Sequence, residues 1–436
     1  MGELSSRCRI LEYDIRKHPI EAAEEILAFD PKIVCFSVHI WNVTLVRSTA
    51  KILRTVSPGL RLIAGGPELS HDCSSEPLNN VLDVIIQGEG ELLLPKICFE
   101  MLQGTWSGPS IMKEQKPELQ LMELPYNLYD REDIDNRVIY VESSRGCPFK
   151  CAYCMSSLDS KLRYYPLEDL FESFESLLSR GARHFKFVDR TFNASSKRAV
   201  EILRFFSRNY VEGLLIHLEL VPSNLSRSLK RELAAFPEAA LHLEIGVQTF
   251  NEEVGKRVQR PFKASDVENS LAFLIGQTGA MVHADLILAL PGEDFQSFAE
   301  GFNRLLFLGP QELQVNLLKC LPGSPLKEKA QSWGLQFSED PPYRVLASDK
   351  MSFSQIQDLE RFGRFFELIH NRGKLDEVSH LLTDTNEPFQ RFFDLAQGLY
   401  SYFGRSHHIS LEKLARQVHD FMVFELGFDR ETAQRQ

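Results

Sequence analysis

Three cysteines stand within eight residues, in Arg145-Gly146-Cys147-Pro148-Phe149-Lys150-Cys151-Ala152-Tyr153-Cys154. Thiolates are the ligands that iron-sulfur clusters use, and three on one loop hold three irons of a 4Fe-4S cube while the fourth iron stays open. An open position is a chemical feature, as at catalytic zinc, where one site is kept for substrate. The alternatives are a zinc site, which needs a fourth Cys or His nearby, and three unrelated thiols. Cys8, Cys35, Cys73, Cys98 and Cys320 are scattered along the chain and read as core filler, ligands or nucleophiles.

The elements that must position these residues follow from hydrophobic periodicity. Short apolar runs at 9–14, 33–37, 60–64 and 84–87 read as strands, and amphipathic stretches at 19–29, 44–56 and 91–102 as helices. Nearly all-apolar strands each followed by a helix predict a parallel sheet covered on both faces. The pattern opens inside the series, so the buried first strand and its ligand loop are expected to be missing. Pro109, Pro117 and Pro125 break the periodicity between 104 and 136, which predicts a linker. Strands then fit at 138–142, 184–188, 215–220, 242–248, 282–290 and 313–318, a second βα series with its working end at the carboxyl ends of the strands. The cysteine run follows the first of these. After Pro325 the strands are expected to stop, and helical spacing at 355–370, 388–403 and 411–426 predicts a helical C-terminal domain whose phenylalanines form core.

The chain of 436 residues is 43% hydrophobic and 25% charged, which excludes disordered and collagen-like classes and suggests roughly three domains. Its net charge of −11 disfavours broad binding to phosphate backbones, so nucleic acid is not an expected partner. No apolar run approaches the ~18 residues of a membrane span, and the start lacks a signal peptide's apolar region, so a cytoplasmic protein without membrane attachment is expected.

The C-x-x-x-C-x-x-C spacing, with Tyr153 before its last cysteine, resembles the radical S-adenosylmethionine (SAM) superfamily over residues 138–326. The resemblance implies that Cys147, Cys151 and Cys154 ligate a 4Fe-4S cluster, that SAM chelates the open iron, and that one electron cleaves it to methionine and a 5'-deoxyadenosyl radical. It also implies that Asp189, in Phe187-Val188-Asp189-Arg190-Thr191-Phe192-Asn193, accepts hydrogen bonds from the SAM ammonium. Glu219 and Gln248 would face the SAM ribose and methionine moieties, Arg260 would pair with the SAM carboxylate, and Tyr153 joins them as a cofactor-binding residue. The run from His283 to Glu293 would lie along the adenine.

Three loops of the first sheet, Ser37-Val38-His39-Ile40-Trp41-Asn42, Gly65-Gly66-Pro67-Glu68 and Gln87-Gly88-Glu89-Gly90-Glu91, together resemble the cobalamin-binding domain of class B radical SAM methyltransferases. The resemblance implies that Ser37, Gly65, Gly66, Gly88 and Glu89 cradle cobalamin. The chain has no Asp-x-His-x-x-Gly, so no histidine is expected below the cobalt.

The expected fold class is α/β: a truncated doubly wound cobalamin-binding-like sheet (1–105), a linker (106–136), a partial (β/α)6 TIM-type radical SAM barrel (137–326) and a helical C-terminal domain (327–436). The expected function is reductive SAM cleavage, cobalamin-dependent and methylating an unactivated carbon of a small molecule or peptide, with flavodoxin or ferredoxin as reductant. The alternatives are radical SAM oxidation or rearrangement without cobalamin, and an iron-sulfur sensor. Cys151→Ala is expected to abolish the visible iron-sulfur absorbance of anaerobically reconstituted protein; an unchanged spectrum would remove the cluster assignment.

Overall fold

Residues 2–71, 77–373 and 375–427 are described by a computed structural model of the chain; Cys73 lies outside them. The chain divides into two compact units. One comprises Met1–Met122 with Leu321–Gly323 and Ser338–Tyr343, and the other comprises Glu123–Cys320, Ser324–Phe337 and Arg344–Gln436.

The first unit is built on a parallel sheet of β1 (Ile33–Ser37), β2 (Arg61–Gly65), β3 (Val84–Gln87) and β4 (Ile111–Lys113), paired in that order. Alternation along the strands sends Leu62, Ala64 and Ile85 to one face, against the apolar sides of helices Pro19–Leu27 and Val43–Val56. Ile63, Val84 and Ile86 point to the other face, against helix Leu93–Leu102. Both faces are covered, as the all-apolar strands require. Residues 9–14, expected as a strand, form none: Ile10 and Leu11 are exposed, and Asp14 turns the chain by pairing with Arg16. The stretch from 104 to 136 is more than a linker. It contributes β4, which pairs with β3 from Ile85↔Ile111 to Gln87↔Lys113, and a short helix, Arg131–Asn136, closed by a capping box between Asp130 and Asp133.

In the second unit, β5 (Ile139–Val141), β6 (Ser144–Arg145), β7 (Arg163–Tyr164), β8 (His184–Phe187), β9 (Leu215–Leu220), β10 (Leu241–Gln248), β11 (Met281–Leu288) and β12 (Glu312–Leu317) follow in sequence. Six of these form a parallel sheet in the order β12-β11-β10-β9-β8-β5, with helices in the crossovers, the expected partial (β/α)6 barrel. β6 and β7 pair separately and antiparallel. In β10, Leu241, Leu243, Ile245 and Val247 are buried, while His242, Glu244, Gly246 and Gln248 take the opposite, inner face. Around β8 the outer core is aromatic, with Phe174, Phe185, Phe187, Phe205 and Phe206 in edge and tilted contacts.

Strands do not end at Pro325: β13 (Gln336–Phe337) and β14 (Val345–Ala347) form a small antiparallel pair. Helix Phe353–Phe366, started by a capping box of Ser352 and Gln355, then lies along β12, with Gly363 packed on Val315. The Asn371 side chain accepts from the Leu313 backbone N–H at 3.2 Å and donates to the Leu313 carbonyl at 2.9 Å. Higher up the same strand, the Val345 N–H donates to Leu318 O at 3.0 Å. Phe302, from helix Phe295–Leu308, meets Phe362 and Phe366 at centroid distances of 4.9 and 5.0 Å, and Phe389 of helix Pro388–Phe403 completes the cluster 4.7 Å from Phe362. The C-terminal helices therefore share a core with the barrel. Phe362→Ala empties the centre of that cluster and is expected to lower stability by about 3–5 kcal/mol in urea unfolding followed by circular dichroism.

Candidate functional site

The cysteine loop leaves the carboxyl end of β5 and is held at several backbone points. Cys147 N donates to Asp159 O at 2.8 Å, Ala152 N to Val258 O at 2.8 Å, and Leu326 N to Ala152 O at 2.8 Å, so the loop is tied to both neighbouring segments and to its own base. The β6–β7 pair closes that base. Gly146 sits at φ +91°, and a Cβ there would collide with the Lys161 carbonyl oxygen, so the turn into Cys147 requires glycine. Cys147 and Cys151 are buried and Cys154 is partly buried. Burial raises the Tyr153 phenol above its ordinary range, beside Arg260, Cys151 and Cys154.

Asp189, beyond the end of β8, is 1% exposed. Its carboxylate accepts from Ser143 N at 2.8 Å, Ser143 Oγ at 2.6 Å and Ser144 Oγ at 2.6 Å. A carboxylate has about four acceptor positions, so three bonds leave one of them, on Oδ2, open to a further donor. In this structure Asp189 anchors the start of the cysteine loop. Burial raises its pKa, and the serine donors oppose that shift. Thr191 Oγ1 approaches Cys147 Sγ at 3.6 Å.

Arg260 reaches the cysteine loop, with Nη1 3.8 Å from Cys151 Sγ and Nη2 donating to the Gly246 carbonyl. Gln248 ends β10 at φ +73°, after a bulge, and its side-chain amide occupies the space a Cβ on Gly246 would take. Glu219 pairs in register with Glu244 on the inner face. Burial, then Glu244, push its pKa up to about 7, against Arg190 and Lys186. Arg260 is thus brought to the cysteines, Gln248 to Gly246 beside them, and Glu219 to the polar barrel interior. Cys320 is a buried thiol pushed up to about 11 by burial, as a core residue would be.

In the first unit the three loops follow β1, β2 and β3 at one end of the sheet. Val38 N donates to Gly65 O at 2.8 Å, Ser70 Oγ to Gly66 O at 2.9 Å, and Gly88 N to Ser70 Oγ at 3.2 Å, which ties all three together. Gly66, at φ +111°, would place a Cβ 2.5 Å from Val38 O, so the close approach of these loops requires glycine. Ser37 Oγ lies 3.1 Å from His39 Nε2, and the His39 ring stacks on Trp41, which is 64% exposed. Glu89 is partly exposed, whereas Glu68 is buried and accepts from the Tyr343 hydroxyl.

Several positioning residues carried no signal in the sequence. Ser143 and Ser144 are ordinary in composition, and only their contacts reveal them, while Thr191 lies in a run already singled out but without its cysteine partner. Asn193 ties the loop after β8 to that after β9 through Val221 and Asn224. Glu293 accepts from Thr249 Oγ1 at 2.5 Å and lies in Pro291-Gly292-Glu293, where the motif named the residue and not its partner.

Residues 141–305 match the radical SAM superfamily, and residues 331–433 match a family described as a protein of unknown function, DUF4080. The chain therefore carries a radical SAM domain. A 2-(S-pantetheinyl)-carbapenam-3-carboxylate methyltransferase of Streptantibioticus cattleyicolor is 23% identical over 88% of this chain and 63% of its own length. The cobalamin-dependent radical SAM methyltransferase TokK of Streptomyces tokunonensis is 24% identical over 70% of this chain, which spans 50% of TokK. The solved structure of the cobalamin-dependent SAM radical enzyme OxsB with aqua-cobalamin superposes with a TM-score of 0.67 at 13% identity, covering 97% of this chain and 74% of OxsB. The chain thus carries a radical SAM domain at 141–305 and has a fold similar to that of OxsB. Among the described residues no helix is long and apolar enough to cross a membrane.

The Glu293 site yields a pH prediction. Burial raises its carboxyl from 4.5 to about 8 against the Thr249 hydrogen bond. The folded state therefore holds the proton that the unfolded chain releases at lower pH. The contribution to stability is full below about 4.5 and is lost as pH rises through about 8. Glu293→Gln keeps a neutral acceptor for Thr249, so its thermal midpoint is expected to fall less than the parent's across that window.

Proposed function

We propose that the chain is a cobalamin-dependent radical SAM enzyme that cleaves SAM reductively and transfers a methyl group to an unactivated carbon of a small molecule or peptide. The observation that carries this reading is the presence in one chain of two arrangements. A buried three-cysteine loop stands at the carboxyl end of a parallel barrel, and a separate parallel sheet has glycine-lined loops joined at one end. The methyltransferase relatives point the same way.

The donor set fits a cluster: three thiols, two of them buried, on a loop whose backbone is fixed by its neighbours. Cys147, Cys151 and Cys154 would hold it, with the guanidinium of Arg260 3.8 Å from Cys151 Sγ. The first sheet fits a flat, polar-edged ligand. Gly65 and Gly66 let the loops close on Ile86 and Val38, Gly88 is exposed, Ser37 and Glu89 add polar groups, and Trp41 offers an exposed ring. When bound, the cluster supplies a low-potential electron and cobalamin a transferable methyl group. Glu219, at about 7, holds or releases a proton on the inner face near neutral pH, and Asp189 keeps the cysteine loop docked. A one-electron reductant such as flavodoxin or ferredoxin would complete the system.

The test is anaerobic reconstitution with iron and sulfide, then SAM, reductant and methylcobalamin, with 5'-deoxyadenosine, S-adenosylhomocysteine and bound cobalt quantified. Both products and about one cobalt per chain are expected, with deoxyadenosine absent from a Cys151→Ala control. Deoxyadenosine without cobalt would indicate radical chemistry without cobalamin, and a cluster that yields neither product with any candidate acceptor would indicate a sensor.

A further inference from the structure

Among the described residues a second gathering of ligand-type side chains lies at the other end of the six parallel strands. His242 is the second residue of β10, His283 the third of β11 and Glu312 the first of β12, so all three stand at amino ends, away from the cysteine loop. The register places His283 directly between Glu244 and Glu312. One nitrogen of each histidine and one oxygen of Glu312 lie within 4.8 Å of one another, with His283 Nδ1 3.4 Å from Glu312 Oε2.

Two further observations point to a ligand here. His242 Nε2 is buried without a hydrogen-bond partner, which costs free energy unless something else binds it. His283 Nε2 faces Asp285 Oδ1 at 3.2 Å, out of line for a hydrogen bond, while Nδ1 faces Glu312. A histidine with a carboxylate behind one nitrogen is the arrangement that orients a metal-bound imidazole. The surroundings favour a cation. Glu244, Asp285 and Glu312 outnumber Lys186, and Glu244 is held 2.9 Å from His217 Nε2 and 3.7 Å from Lys186 Nζ. The His217 ring stacks on His242 at 4.3 Å and restricts its orientation.

We propose that His242, His283 and Glu312 form a second metal site, for a divalent first-row transition ion. Two imidazoles and one carboxylate supply three protein ligands and leave a position for water. Bonds of about 2.0–2.1 Å place neighbouring ligand atoms roughly 3–3.5 Å apart, a spacing that His283 Nδ1 and Glu312 Oε2 already have at 3.4 Å and that the wider separations, up to 4.8 Å, reach by closing on the ion. The ion satisfies the buried His242 nitrogen and clamps three adjacent strands at the base of the barrel. The site is independent of methyl transfer.

The test uses Zn²⁺ and the full chain with its cluster assembled, dialysed anaerobically against buffered free zinc and analysed for zinc and iron. About one zinc per chain is expected, with affinity at least tenfold lower in His242→Ala and in Glu312→Gln and iron content unchanged. Glu312→Gln is isosteric and part-exposed, so loss of zinc there with iron retained reports ligation and not misfolding. No bound zinc, zinc that survives both substitutions, or zinc lost only with Cys151→Ala would overturn the site.

Discussion

The cysteine loop depends on one buried carboxylate. Asp189 gathers a backbone N–H and two hydroxyls from Ser143 and Ser144, the two residues that precede Arg145 and the Gly146 turn. A buried carboxylate carries a large desolvation cost, which is offset here by three donors from the start of the loop. The end of β8 and the start of the cysteine loop are thereby fixed to each other. The Thr191–Cys147 approach and the Arg260–Cys151 contact then fall into place around a loop whose position is already determined.

The barrel separates two kinds of packing by the two-residue period of its strands. Outward residues are apolar and interlock with helices, most densely in the phenylalanine clusters around Phe174 and Phe362. Inward residues are ionisable, so Lys186, His217 and His242 share one register row and Glu219, Glu244, His283 and Glu312 the next. Close carboxylates raise each other's pKa, while His217 lowers that of Glu244 to about 2. Charge in the interior is thus set by neighbours across strands rather than along the chain.

That distinction explains what could be read in advance. The six barrel strands were legible to within a residue or two because burial imposes long apolar runs, and the cysteine motif was legible because its three thiols stand close together in sequence. Residues 9–14 mislead because alternation marks a strand only where a neighbour can pair with it. β4 was hidden by the prolines around it and by its own partial exposure. Asp189 was picked out as functional from its place at a strand end, but its role depended on Ser143 and Ser144, some 45 residues earlier. The inner-face rows were invisible because they assemble one or two residues from each of several strands, and register is not written in any one of them.

A barrel of six strands leaves its outermost strand with unpaired backbone groups, a template on which another chain could add by edge-to-edge aggregation. Asn371 answers both groups of Leu313 with a single side-chain amide, and Val345 takes the Leu318 carbonyl, so short pieces of the C-terminal region imitate the missing seventh strand. The region matched to DUF4080 therefore covers part of one edge of the barrel sheet. An open six-stranded sheet thus has its β12 edge met in part by polar groups from the region that follows it in sequence.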